Sequence, residues 1–134
     1  MARVSRPRGT FLRFQKGDSG IQAGDVVALH KTVGDTVVRA QANDINKMPA
    51  IGFAKRVSSS TVMVQVDAVA VLPDVVLTVG STYWVSTTPG EITSTPVSVD
   101  ALSATGGMIQ TVGVTKKIPN KLLVFIDPTG MVII

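Results

Sequence analysis

The chain has no cysteine, one histidine, one glutamate and only six aromatic residues among its 134, and each shortage removes a class of explanation. Without cysteine there is neither a disulfide nor a thiolate metal site, so stability must come from an apolar core, from partner subunits, or from both. A single histidine, His30, leaves no His-x-x-x-His pair, and no calcium-loop pattern is present. Glu, Lys and Leu are sparse beside Val and Thr, which disfavours long helices. No apolar run approaches the roughly 18 to 20 residues needed to cross a bilayer. The basic start has no apolar stretch behind it, which argues against a secretory signal. The expectation is a soluble protein made in the cytosol.

Catalytic groupings are equally thin. There is no Gly-x-Ser-x-Gly elbow to place one of the many serines beside His30. Asp18, Asp25, Asp35, Asp44, Asp67, Asp74, Glu91, Asp100 and Asp127 mostly fall in or beside turns, where an aspartate bonds nearby backbone amides. Gly106-Gly107 is not followed by the Lys-Ser/Thr of a phosphate-binding loop. The expectation is therefore a protein that is not an enzyme, with no catalytic residue, cofactor or metal.

What the chain does have is an uneven charge distribution. Arg3, Arg6, Arg8, Arg13 and Lys16 precede the first acid, Asp18, so the first sixteen residues carry +5. The remaining eight basic and nine acidic residues leave −1 on the body. Residues 1–16 read as a basic N-terminal arm, and residues 17–134 as a single β-domain. Such an arm is either a solvated tail or a segment that orders on an acidic partner surface.

Turn signals recur about every ten residues: Lys16 to Gly20, Ala23 to Asp25, Val33 to Asp35, Ser58 to Ser60, Thr88 to Gly90 and Asp127 to Gly130. Between them lie candidate strands at Thr10 to Phe14, Val26 to Lys31, Thr36 to Ala42 and Ala50 to Val57, the last interrupted by Gly52, which marks a bulge or a close backbone approach. A short helical turn is expected within Ala42 to Lys47, and another at Val99 to Ser103. Val62, Val64, Val66, Ala68, Ala70 and Leu72 share one face of a single alternating strand. Tyr83 to Thr93 reads as a hairpin turned by Thr88-Pro89-Gly90, with Tyr83 and Trp84 packing rather than contacting a partner. Leu122 to Ile126 is apolar on both faces, as in a central strand or one sandwiched between subunits. The fold class expected is all-β, an antiparallel barrel or sandwich of short strands behind a basic extended arm.

The order of several short motifs resembles the head decoration (cement) proteins of tailed bacteriophages and related small phage structural β-modules. The motifs are Gly80-Ser-Thr-Tyr-Trp-Val-Ser-Thr-Thr-Pro-Gly-Glu-Ile-Thr93, Gln110-Thr-Val-Gly-Val114 and Leu122-Leu-Val-Phe-Ile-Asp127, preceded by Ile21-Gln-Ala-Gly-Asp-Val-Val27 and Pro49-Ala-Ile-Gly-Phe-Ala54. The resemblance implies a virion protein on the outer capsid surface that bridges major capsid protein subunits, commonly as a homotrimer, with no membrane, nucleic-acid or small-molecule partner. On that reading Arg3, Arg6, Arg8, Phe11, Arg13, Phe14 and Lys16 are the candidate capsid-binding residues, and Thr10 to Phe14 could add a strand to a capsid sheet. Leu123, Phe125, Met131, Val132, Ile133 and Ile134 are the candidate oligomer interface.

Two alternatives accompany it. One is a tail-fibre, tail-tip or host-recognition module whose loops bind a cell-surface glycan. The other is a basic nucleic-acid-binding β-barrel, which would join a charged groove to stacking aromatics. Here the body's aromatics are dispersed, Phe53 and Phe125 read as core, and Lys55-Arg56 and Lys116-Lys117 read as turn-side pairs on a solvated surface.

Overall fold

The computed structural model describes residues 10–72, 77–98, 102, 106–115, 121–124 and 132–133, with 68–71, 121–124 and 132–133 described by their backbone. The chain is all-β. Its first half closes a barrel from β1 (Phe11–Lys16), β2 (Val26–Leu29), β3 (Thr36–Arg39), β4 (Ala50–Val57) and β5 (Thr61–Gln65), ordered β1-β3-β2-β4-β5 around the ring. Four of the five neighbouring pairs are antiparallel and one, β1 with β3, is parallel. This corrects the antiparallel expectation, for a geometric reason: directions cannot alternate around a ring with an odd number of strands. One parallel pair is the minimum.

A second sheet follows, ordered β6-β11-β10-β7-β8, from β6 (Ala68–Val71), β7 (Thr82–Val85), β8 (Ile92–Thr93), β10 (Thr111–Thr115) and β11 (Lys121–Val124). Its described neighbours are all antiparallel. A two-stranded ribbon joins β9 (Met108–Ile109) to β12 (Val132–Ile133) within the same chain. The hairpin expected at 83–93 is present as β7 and β8, with Trp84 opposite Thr93 and Val85 opposite Ile92. β11 is central, between β6 and β10, as its doubly apolar sequence implied. The helical turn near residue 45 is a 3-10 turn over Ile45–Lys47, capped by the Asp44 side chain, which accepts from the Asn46 N–H at 3.0 Å. Of the turn expected at 99–103, only Leu102 is among the described residues, and it is helical and buried.

Two cores share the barrel strands because successive side chains point to opposite faces. Val27, Val37, Ala54, Val62 and Val64 fill the barrel interior with Ile21. Val26, Ala28, Ala50 and Phe53 face outward and meet Leu72, Tyr83, Val85, Met108 and Val112 on the other side. Ala28, Ala40, Ala42 and Ala50 recur at that junction, and small side chains let backbones approach. Gly107 lies so close to Ala42 that a Cβ there would stand 3.1 Å from the Asn43 Cα, with the Ala42 carbonyl oxygen nearer still.

The Pro89-Gly90 turn is sewn to the barrel. Gly90 N–H donates to the Ala40 carbonyl at 2.9 Å, and its own carbonyl accepts from Val26 N–H at 3.0 Å. Tyr83 is buried, its hydroxyl accepting from Thr78 N–H at 2.8 Å. That is a packing role, as expected.

Beside this turn sit Asp18, Asp25, Arg39 and Glu91. Asp18 Oδ2 accepts from Arg39 Nε at 2.7 Å and Oδ1 from Gly20 N–H at 2.9 Å. Burial works against the Asp18 carboxylate, but the Arg39 guanidinium and the Gly20 amide outweigh it and hold its pKa below the ordinary value. Burial pushes Asp25 the other way, above the ordinary value, against the Gln22 amide and Arg39 charge that favour its ionised form. The signs of the two substitutions therefore oppose. Asp18 contributes stability that is present above its unfolded pKa and disappears as pH falls through the lower folded one. Asp18→Asn should lose about 1 kcal/mol or less at neutral pH, since the pair is partly exposed, and progressively less as pH falls into the acid range. Asp25 favours folding below its unfolded pKa and loses that contribution as pH rises through the folded one, so Asp25→Asn should stabilise at neutral pH and not in acid. Urea unfolding of both variants across that range checks the pair; shifts of the same sign would refute it.

Candidate functional site

β1 was expected to belong to the arm, but residues 11–16 form a barrel strand, so the arm boundary at residue 16 is corrected. Residues 1–9, with Arg3, Arg6 and Arg8, lie outside the described residues and join the barrel at Thr10. Thr10 is anchored: its N–H and hydroxyl both bond the Asp67 carboxylate, and its carbonyl accepts from Val66 N–H at 3.0 Å.

β1 pairs with β5 along Phe11–Gln15, but with β3 only at Gln15 and Lys16. Its N-terminal four residues thus have a ladder on one side alone among the described residues. The parity of that ladder can be read from its ends. Thr10 and Lys16 bond toward the β5 side, whereas Gln15 N–H donates to the Asp35 carbonyl and Gly17 N–H to the Val37 carbonyl on the β3 side. Strand alternation then directs the N–H and C=O of Phe11 and Arg13 to the uncovered edge.

The side chains divide the expected binding residues in two. Phe14 is half-buried and packs against the barrel interior, so it is a core residue rather than a contact. Lys16 Nζ donates to the Ser58 carbonyl at 3.3 Å. Phe11 and Arg13 stay exposed on the outer face. Register places Arg13 opposite Met63 and Met63 opposite Arg56, a row across three strands with a cation on each side of a methionine. Phe11, Met63, Lys55 and Arg56 line one shallow hollow beside that row. Neither Arg13, Lys55 nor Arg56 forms an ion pair among the described residues. Phe11 is 44% exposed, so apolar surface and unneutralised positive charge lie together on this face.

Lys55 and Arg56 are the functional candidates that sequence reading passed over. They are more than forty residues from Phe11, and only the β1–β5–β4 register, with its shift between Ala54 and Arg56, brings them alongside. The irregularity at Lys55 had no signature beyond adjacent charges.

At the other end, β12 pairs within its own chain, Val132 opposite Ile109 and Ile133 opposite Met108, and Leu123 lies in the central strand β11. Phe125, Met131 and Ile134 lie outside the described residues. Among the described residues no three His, Cys, Asp or Glu side chains converge as a metal would require. His30 is committed locally: its Nδ1 accepts from the N–H groups of Thr32 at 3.1 Å and Val33 at 3.0 Å.

The surface is therefore one suited to contact, with strand-edge donors and acceptors, an apolar patch and three cations. Family models, curated proteins and solved structures contain no match to this chain.

Proposed function

We propose that this protein is a structural virion component that binds the outer surface of a phage capsid and stabilises it by bridging major capsid protein subunits. The observation that carries the reading is the half-paired strand β1, which carries Arg13, shares a hollow with Lys55 and Arg56 of β4 through Phe11, and is continuous with the basic segment 1–9. A shell protein that acts in many copies needs no deep pocket. It needs complementary edges and steering charge, because many weak contacts act together. Homotrimeric assembly and the position on the capsid come from the sequence resemblance. The nucleic-acid alternative is disfavoured on this face, where Phe11 is the single exposed aromatic among the described residues and stacking along a strand calls for several.

The chain should co-sediment with DNA-free heads of the phage that encodes it and leave free DNA unbound. Removing residues 1–9 should weaken head binding, and unchanged binding would take the arm out of the mechanism. Retention on DNA without retention on heads would overturn the proposal.

A further inference from the structure

The barrel ring is closed at β1–β3 by only two residue pairs, and the edge of β1 beyond them is open. That edge offers four main-chain groups, the N–H and C=O of Phe11 and Arg13. We infer that it receives an extended acidic segment of a partner protein, alternating carboxylate with apolar residues, as an added strand. The inference rests on reading this surface as protein-binding, and not on which particle carries the partner.

Three observations select that occupant. Free strand-edge groups in register are satisfied by another extended backbone, which places its side chains alternately on the two faces. On the outer face the edge itself carries Arg13 beside Phe11, and Lys55 and Arg56 stand further back on β4, across β5. None of the three cations is ion-paired among the described residues, so the incoming strand lies on a positively charged face. On the opposite face of β1 the neighbour is the exposed Leu12, followed by Phe14, so the intervening side chains meet apolar surface. The acids nearest the edge do not cancel this. Asp67 is held by Thr10 at one end, and Asp35 lies at the closed end, where its carbonyl accepts from Gln15 N–H. The chain's own segment 1–9 carries Arg3, Arg6 and Arg8 and no acid, and is of the wrong sign to fill the place.

The test uses the full chain and an end-blocked decapeptide of alternating Glu and Val. It should shift and protect the Phe11 and Arg13 amides in NMR spectra. A Lys/Val decapeptide, and a Glu/Val decapeptide N-methylated at alternate residues, should each bind about tenfold or more weakly. Arg13→Pro should also weaken binding, because it removes an edge donor that the β5 ladder does not use. Should that variant melt early, the N-methylated peptide tests the same bond on the unaltered protein. Equal binding of the Glu/Val and Lys/Val peptides, shifts confined to another surface, or tighter binding of a thymidine decanucleotide would each overturn the inference. Head binding that persists in Arg13→Pro, with the peptide ignored, would remove the added strand and leave the capsid proposal standing. Peptide binding without head binding would do the reverse.

Discussion

Gly52→Ala should destabilise the protein by about 3 kcal/mol or more and lower its melting temperature by roughly 10 °C. The reason is space. A Cβ at this position would stand 2.7 Å from Val64 Cγ1 and 3.0 Å from the Gln65 carbonyl carbon, with the Gln65 oxygen nearer still. A flexible side chain could move aside, but here the obstacle is the backbone of β5. Shifting that backbone would disturb the pairing of Phe53 with Gln65, and Phe53 is one of the largest side chains of the outer core. Gly34→Ala is the internal control, because nothing lies within 4 Å of its added methyl, and it should change stability by no more than about 0.5 kcal/mol. Calorimetry of the two variants decides the matter. A Gly52→Ala protein melting with the parent would mean that β4 and β5 are not in this close approach.

Gln110→Leu should cost about 3 kcal/mol, although leucine nearly matches glutamine in size. Gln110 is fully buried, and its side-chain amide faces the backbone of Ala50, itself fully buried. Oε1 accepts from the Ala50 N–H at 2.8 Å, and Nε2 donates to the Ala50 carbonyl at 3.0 Å. At Ala50, β4 has run past the end of its pairing with β5, which begins at Phe53, so its outward N–H and C=O have lost their neighbour strand. The glutamine amide stands in for the missing peptide group. Leucine would leave a donor and an acceptor buried without partners, each costing about 1–3 kcal/mol. Gln110→Glu gives a sharper result. The protonated acid can still accept and donate, whereas the carboxylate can only accept and would face a carbonyl oxygen in a buried site. Burial raises the folded-state pKa of that acid, so its stability is present at low pH and lost as pH rises. Denaturant unfolding should show Gln110→Glu closer to the parent in acid than at neutrality, while Gln110→Leu stays low throughout. A glutamate variant insensitive to pH would rule out the two-bond clamp.

The local features of the fold were legible because they depend on neighbours in sequence. The alternation of Val62 and Val64, the Pro89-Gly90 turn, the helical turn within 42–47 and the close approach at Gly52 all appear where their residues placed them. The run from Val62 to Leu72 reads as one strand but is two, β5 in the barrel and β6 in the second sheet. The break falls at Asp67, whose carboxylate is drawn to Thr10 while its carbonyl accepts from Gln65 Nε2 at 3.0 Å. Periodicity continues through that bend unaltered and so could not reveal it. The parallel β1–β3 contact and the meeting of Phe11 with Lys55 and Arg56 were not legible for the same reason. They arise from ring closure between distant segments, and neither partner carries a local sign of the other. Phe14 shows the limit from the other direction: its position in a basic, exposed-looking segment pointed outward, and strand parity turned it into the barrel.

The barrel draws all five strands from residues 11–65 and none from the second half of the chain. During synthesis, the 69 residues that follow (134 less 65) take about 3 to 14 s to add at roughly 5 to 20 residues per second. Small β-barrels close in about milliseconds to seconds. The ring can therefore close on the ribosome while Val26, Ala28 and Phe53 still lack their cover, since Tyr83, Met108 and Val112 arrive afterwards. An apolar outer face of the barrel is thus exposed as the protein is made, and the late strands serve as its lid.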